Sequence, residues 1–204
     1  IFFILNLLYK YNVIDPTNKA YGLTYTEKED RPLYDRETLL DLCSDNNVAR
    51  DKANMLHILE KWKARQTSPK PLLFLINSSG GGSRSATFTL SILQRLDSLS
   101  GGTLMRRTFL ITGASGGMLG AAYFRQLSRL RDGGDTSIHL QDRRYVNDIS
   151  GDLLNTLFSS FVARDLASPA QKFEVGDQQY VKDRGFAFEQ KLTENTHGIL
   201  NKQL

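Results

Sequence analysis

Arg107-Thr108-Phe109-Leu110-Ile111-Thr112-Gly113-Ala114-Ser115-Gly116-Gly117, followed by Met118 to Arg131, is the stretch whose reading decides the fold. The first six residues predict a short strand, the next five a tight glycine turn, and the remainder an amphipathic helix. The same unit stands just before it. Gln66-Thr67-Ser68-Pro69-Lys70-Pro71 breaks the chain, because proline stops a helix and restricts the residue ahead of it. Leu72-Leu73-Phe74-Leu75-Ile76 then reads as a strand buried on both faces. Asn77-Ser78-Ser79-Gly80-Gly81-Gly82-Ser83-Arg84 is a second glycine-rich turn, and a helix is expected from Ala86 to Leu99, closed by Ser100-Gly101-Gly102. Strand, glycine turn and helix, twice over, predict an α/β fold with parallel strands. Chemistry in such sheets lies beyond the carboxyl ends of the strands. Both turns fall there, so they are expected to face each other across one crevice.

Outward from this unit the pattern is less regular. Residues 12–35 read as a connecting arm, and Arg36 to Cys43 as a short helix. Ala49, Ala53, Leu56, Leu59 and Trp62 recur at helical spacing between Val48 and Lys63, with His57 beside that face as a surface histidine. After Asp132-Gly133-Gly134-Asp135 the chain turns mostly helical. Leu153, Leu154, Leu157, Phe158, Phe161 and Val162 predict one apolar helical face, capped by Ser150 or Asp152. His139 falls in an expected strand, and Gln178 to Gln190 and Thr193 to Leu204 give no clear pattern. Two strands are too few for a doubly wound sheet, which usually has about five. The missing ones are expected beyond Leu204. The division is residues 1–66 as an N-terminal arm with helices and residues 67–204 as part of a catalytic domain.

Composition bounds the answer. Of the 204 residues 40% are apolar and 24% charged, which are globular values. The single Cys43 excludes an intrachain disulfide and a cysteine-based zinc site. A net charge of +4 without any dense Lys/Arg block reads as a mildly basic surface rather than a nucleic-acid interface. Ile1-Phe2-Phe3-Ile4-Leu5-Asn6-Leu7-Leu8 is too short to span a bilayer, which takes roughly 20 residues. It fits either the stump of a spanning or signal segment or a buried element, so the location is read as cytoplasmic or membrane-associated. No cofactor is expected, and no metal, since no His/Asp/Glu cluster has ligand spacing.

Gly113-Ala114-Ser115-Gly116-Gly117 matches G-x-S-x-G, in which a serine sits on a strained strand-to-helix turn with its hydroxyl exposed. Glycine is required on either side because larger side chains would collide as the backbone doubles back. The Gly116 amide is placed to donate to a developing oxyanion at the head of the following helix. Gly80-Gly81-Gly82-Ser83-Arg84 supplies the second half: bare amides that converge on an anion, with Arg84 adding charge or bracing the loop. No Gly-Lys-Ser/Thr follows at phosphate-loop spacing.

Together the two motifs resemble the patatin-like phospholipase family, strongly over residues 71–131. Ile149 to Ala167 and Lys182-Asp183-Arg184-Gly185-Phe186-Ala187-Phe188-Glu189 are similar to segments of bacterial members, less specifically. The resemblance implies a three-layer parallel-sheet domain, incomplete here at its C-terminal side. It also implies a serine acyl hydrolase that cleaves lipid esters, of phospholipase A or lysophospholipase type, at or near a membrane surface. Carried over by position, Ser115 is the nucleophile, Gly80, Gly81, Gly82, Ser83 and Arg84 form the oxyanion loop, and Gly113 and Gly117 flank the elbow. The family uses a Ser–Asp dyad, so His57, His139 and His197 need no catalytic role.

The dyad aspartate is where the sequence departs from that pattern. Asp132-Gly133-Gly134 has the letters, but at the far end of the nucleophile helix it reads as a helix-ending turn. The partner is expected beyond residue 204, and the chain alone is expected to be a poor catalyst. Two other readings compete. One is a non-catalytic binding protein that keeps the fold. The other is a short-chain dehydrogenase, suggested by Thr112-Gly113-Ala114-Ser115-Gly116-Gly117. Its last glycine would fall at Leu119 rather than Gly120, and no Tyr-x-x-x-Lys pair exists.

Overall fold

A computed structural model describes residues 33–167, 171–175 and 178–201, together with positions 4, 7, 8 and 11. Most of the arm and of the apolar run Ile1–Leu8 lies outside the described residues. Two helices come first, α1 (Arg36–Leu42) and α2 (Asp45–Ala64). The side chain of Asp35 caps α1 by accepting from the Thr38 amide at 2.8 Å, which holds the Asp35 carboxyl below the usual carboxylate range. The centre follows: β1 (Phe74–Ser78), α3 (Gly82–Leu99), the short α4 (Leu104–Arg107), β2 (Thr108–Gly113) and α5 (Ser115–Asp132). Then come α6 (Arg144–Ile149), α7 (Leu154–Ser160) running into a π-helical turn at Phe161–Leu166, the strands β3 (Lys172–Val175) and β4 (Gln178–Val181), and α8 (Arg184–Asn195).

β1 and β2 are parallel, with Leu75 opposite Leu110 and Ser78 opposite Gly113. This is a mixed α/β chain with a small parallel sheet, which among the described residues has two strands. The core lies between α3, α5 and α6, where Leu90, Leu93, Phe124, Leu127, Tyr145 and Ile149 are buried. Phe74, Ile76 and Ile111 pack onto it from the sheet. β1 was expected to be buried on both faces, but Leu75 is 66% exposed and Leu110 48%. The reason is that strand residues alternate in direction, and the described helices cover the side that Phe74 and Ile76 face. The strand also begins two residues later than its apolar run.

Three other expectations are corrected. Of the apolar face expected on α2, only Trp62 is buried, edge-on to Phe109 with ring centroids 6.2 Å apart. The face expected on α7 is likewise open, with Leu154 and Phe158 exposed and Leu153 alone buried, although Asp152 does cap it by accepting from the Leu154 amide at 2.9 Å. His139 lies exposed in a turn segment rather than in a strand, because the chain between α5 and α6 is held by side chains. Buried Gln94 donates to the carbonyls of Leu140 and Asp142 at 2.7 and 3.2 Å. No helix among the described residues is long and apolar enough to cross a membrane.

Candidate functional site

The site is built where β1 and β2 end side by side. Their pairing continues one step past the sheet, with the Ala114 amide donating to the Ser78 carbonyl at 3.1 Å. This last bond brings the two glycine turns together. Ser115 is the first residue of α5 and has φ 48, a left-handed backbone that non-glycine residues rarely adopt. The strained elbow expected of G-x-S-x-G is therefore present. The Ser115 side chain is exposed and makes no hydrogen bond among the described residues.

The Gly80–Gly82 loop lies directly against the elbow. A Cβ added to Gly80 would stand 3.3 Å from the Ser115 Cβ, so any larger residue there would crowd the hydroxyl. A Cβ on Gly116 would overlap the Gly82 carbonyl, and one on Gly117 the Ser79 carbonyl. The glycines on the nucleophile side are thus required by the approach of the other turn. Gly81 and Gly82 have φ of 149 and 64, conformations that carry the loop from β1 into α3. Ser85, not singled out from sequence, braces this loop by donating its hydroxyl to the Ser79 carbonyl. The signal for it is a serine in the first turn of a helix, where hydroxyls bond backward to the entering chain.

Two helix amino ends converge here. α3 and α5, each 18 residues long, begin at Gly82 and Ser115 with no side-chain cap and no acidic residue in the first turn. Their leading amides carry partial positive charge and lack intrahelical acceptors, so the cleft favours a developing oxyanion. Ser83 accepts at its carbonyl from Thr87 within α3. Arg84 is exposed and has no hydrogen-bond or ion-pair partner among the described residues. Of the two roles expected for it, added charge fits this placement and bracing does not.

Other candidate residues lie apart. Asp132 ends α5, about 25 Å from Ser115 at 1.5 Å per residue, and pairs with Arg131 at 2.9 Å. Gly133 caps the helix and the Asp135 amide returns to the Leu130 carbonyl, a helix-ending turn as expected. His57 and His139 are exposed away from the cleft, and His197 faces Asp148 at 3.6 Å. Neither a carboxylate nor an imidazole among the described residues hydrogen-bonds to Ser115.

Comparison with protein-family models, curated proteins and solved structures finds no match to this chain.

Proposed function

We propose that the chain carries the nucleophile and oxyanion hole of a serine acyl hydrolase of the patatin-like type. The observation that supports this best is Ser115 itself: a non-glycine residue in left-handed backbone at a helix amino end, packed against a triple-glycine loop. Such strain collects where a side chain must be presented for chemistry. On this reading the Ser115 hydroxyl attacks an ester carbonyl, and amides of the Gly80–Gly82 loop and Gly116 hold the oxyanion. Water then releases the acyl group. The base is an aspartate outside the described cleft, as the family resemblance implies. Lipid esters are the substrate class, again by that resemblance.

The test is fluorophosphonate labelling of the protein made from its full reading frame, with the adduct located by peptide mass spectrometry and Ser115→Ala as control. Label on the Ser115 peptide that disappears in the variant is the expected result. A folded protein that takes no label would leave a non-catalytic binding role as the better account.

A further inference from the structure

The outer edge of β2 opens into a groove of about 1330 Å³. Thr108, Phe109, Leu110 and Ile111 all line it, and four consecutive residues can do so only along a strand edge, since a face shows alternate ones. β2 pairs with β1 on its other side and with no further strand among the described residues, so its outer amides and carbonyls face the groove. The opposite wall is α5, whose Met118, Ala121, Ala122, Arg125 and Arg129 recur at helical spacing. Ser128 also lines the wall at 1% exposure, and its hydroxyl has no hydrogen-bond partner among the described residues.

Charge narrows the choice of occupant. Arg65, Arg106, Arg125 and Arg129 ring the groove, all exposed, and none forms an ion pair among the described residues. The single acid on the lining, Asp132, is held by Arg131. A second copy of this chain would bring the same four cations and be repelled. A lipid chain would fill the apolar wall but leave the β2 amides and carbonyls without partners. An extended peptide satisfies both demands.

We propose that this groove binds an extended acidic peptide strand by backbone pairing to the free edge of β2. Its apolar side chains rest on Met118, Ala121 and Ala122, and its carboxylates meet the arginines. The mode is strand addition, in which main-chain hydrogen bonds supply affinity and alternate side chains supply selectivity. It does not depend on Ser115 acting as a nucleophile.

The experiment is fluorescence anisotropy of the 204-residue chain with a labelled nine-residue peptide of alternating valine and glutamate. Three controls accompany it: the same peptide N-methylated at every second amide, Arg125→Glu with Arg129→Glu, and Arg95→Glu on α3 outside the groove. Circular dichroism checks that each variant is folded. Saturable binding is expected, abolished by N-methylation, weakened roughly tenfold or more by the double charge reversal, and unchanged by Arg95→Glu. Equal binding of the N-methylated peptide, indifference to the double reversal, or no binding at millimolar peptide would each overturn the proposal.

Discussion

At Ser115 the backbone and the side chain make opposing demands. The left-handed φ of 48 favours glycine, whereas the chemistry proposed for the position needs a hydroxyl. A non-glycine residue held there costs about 1–2 kcal/mol. Ser115→Gly is therefore expected to be more stable than Ser115→Ala by about 1 kcal/mol in urea unfolding, with both variants losing fluorophosphonate label. Equal stabilities would mean that the elbow is not strained in solution. Tyr123 shows a different residue-scale effect. Its ring is buried, its hydroxyl donates to Asp148 at 3.0 Å, and burial, together with that carboxylate, pushes the phenol well above its ordinary value of 10.0. A folded-state pKa above the unfolded one means the folded protein holds the proton more tightly. The stability tied to it is present below pH 10 and is lost as pH climbs past that value. Tyr123→Phe is expected to cost about 1–2 kcal/mol near neutrality through the unsatisfied Asp148. It should also flatten the fall in stability between pH 9 and 11, measured as the difference between the two unfolding midpoints.

Among the elements, the α3–α5 contact carries the core, and it is tightest at Gly120, where an added Cβ would overlap the Ala86 carbonyl. Ala86 and Ala121 are both buried beside it, so the helices cannot part locally without losing those contacts. Gly120→Ala is expected to destabilise by about 2–3 kcal/mol, against its usual gain in helix propensity of about 1 kcal/mol. A chemical-denaturation midpoint unchanged or raised would show that the two helices pack less closely than described. These central elements were legible in sequence because their punctuation is local. Proline, apolar run, glycine turn and amphipathic period each act within a few residues, and they placed β1, α3, β2 and α5 to within four residues of their observed starts. The β3–β4 hairpin was not read. Its strands are four residues long, and the signal lies in the Phe173/Val175 and Tyr180 alternation around Gly176-Asp177, a pair often found between hairpin strands. The elbow and its glycine loop were readable from motif spacing alone. Ser85 was not, since its role depends on where the Ser79 carbonyl turns after β1.

The molecule as a whole is held at the end opposite Ser115 by a charge that contacts three helices. Asp97, on α3 and 1% exposed, accepts from the Leu104 amide of α4 at 3.2 Å and from the Arg131 guanidinium of α5 at 3.2 Å. Sequence gave no sign of this cluster, because residues 97, 104 and 131 meet only once both crossovers are complete. A buried carboxylate stripped of its cation is worse than no ion pair at all. Arg131→Met is therefore expected to cost about 2–3 kcal/mol, at the lower end of such losses because Arg131 itself keeps partial contact with water. Asp97→Asn combined with Arg131→Met removes the charge along with its partner, so it should recover part of that loss rather than add to it. The four proteins of this cycle, compared by urea unfolding, give the coupling directly. Because Asp132 and Ser115 stand at opposite ends of α5, Arg131→Met should retain whatever fluorophosphonate labelling the parent shows, under conditions where both are folded. Loss of label in folded Arg131→Met would instead mean that the cleft and the Asp97 cluster move as one unit, with α5 transmitting the change along its length.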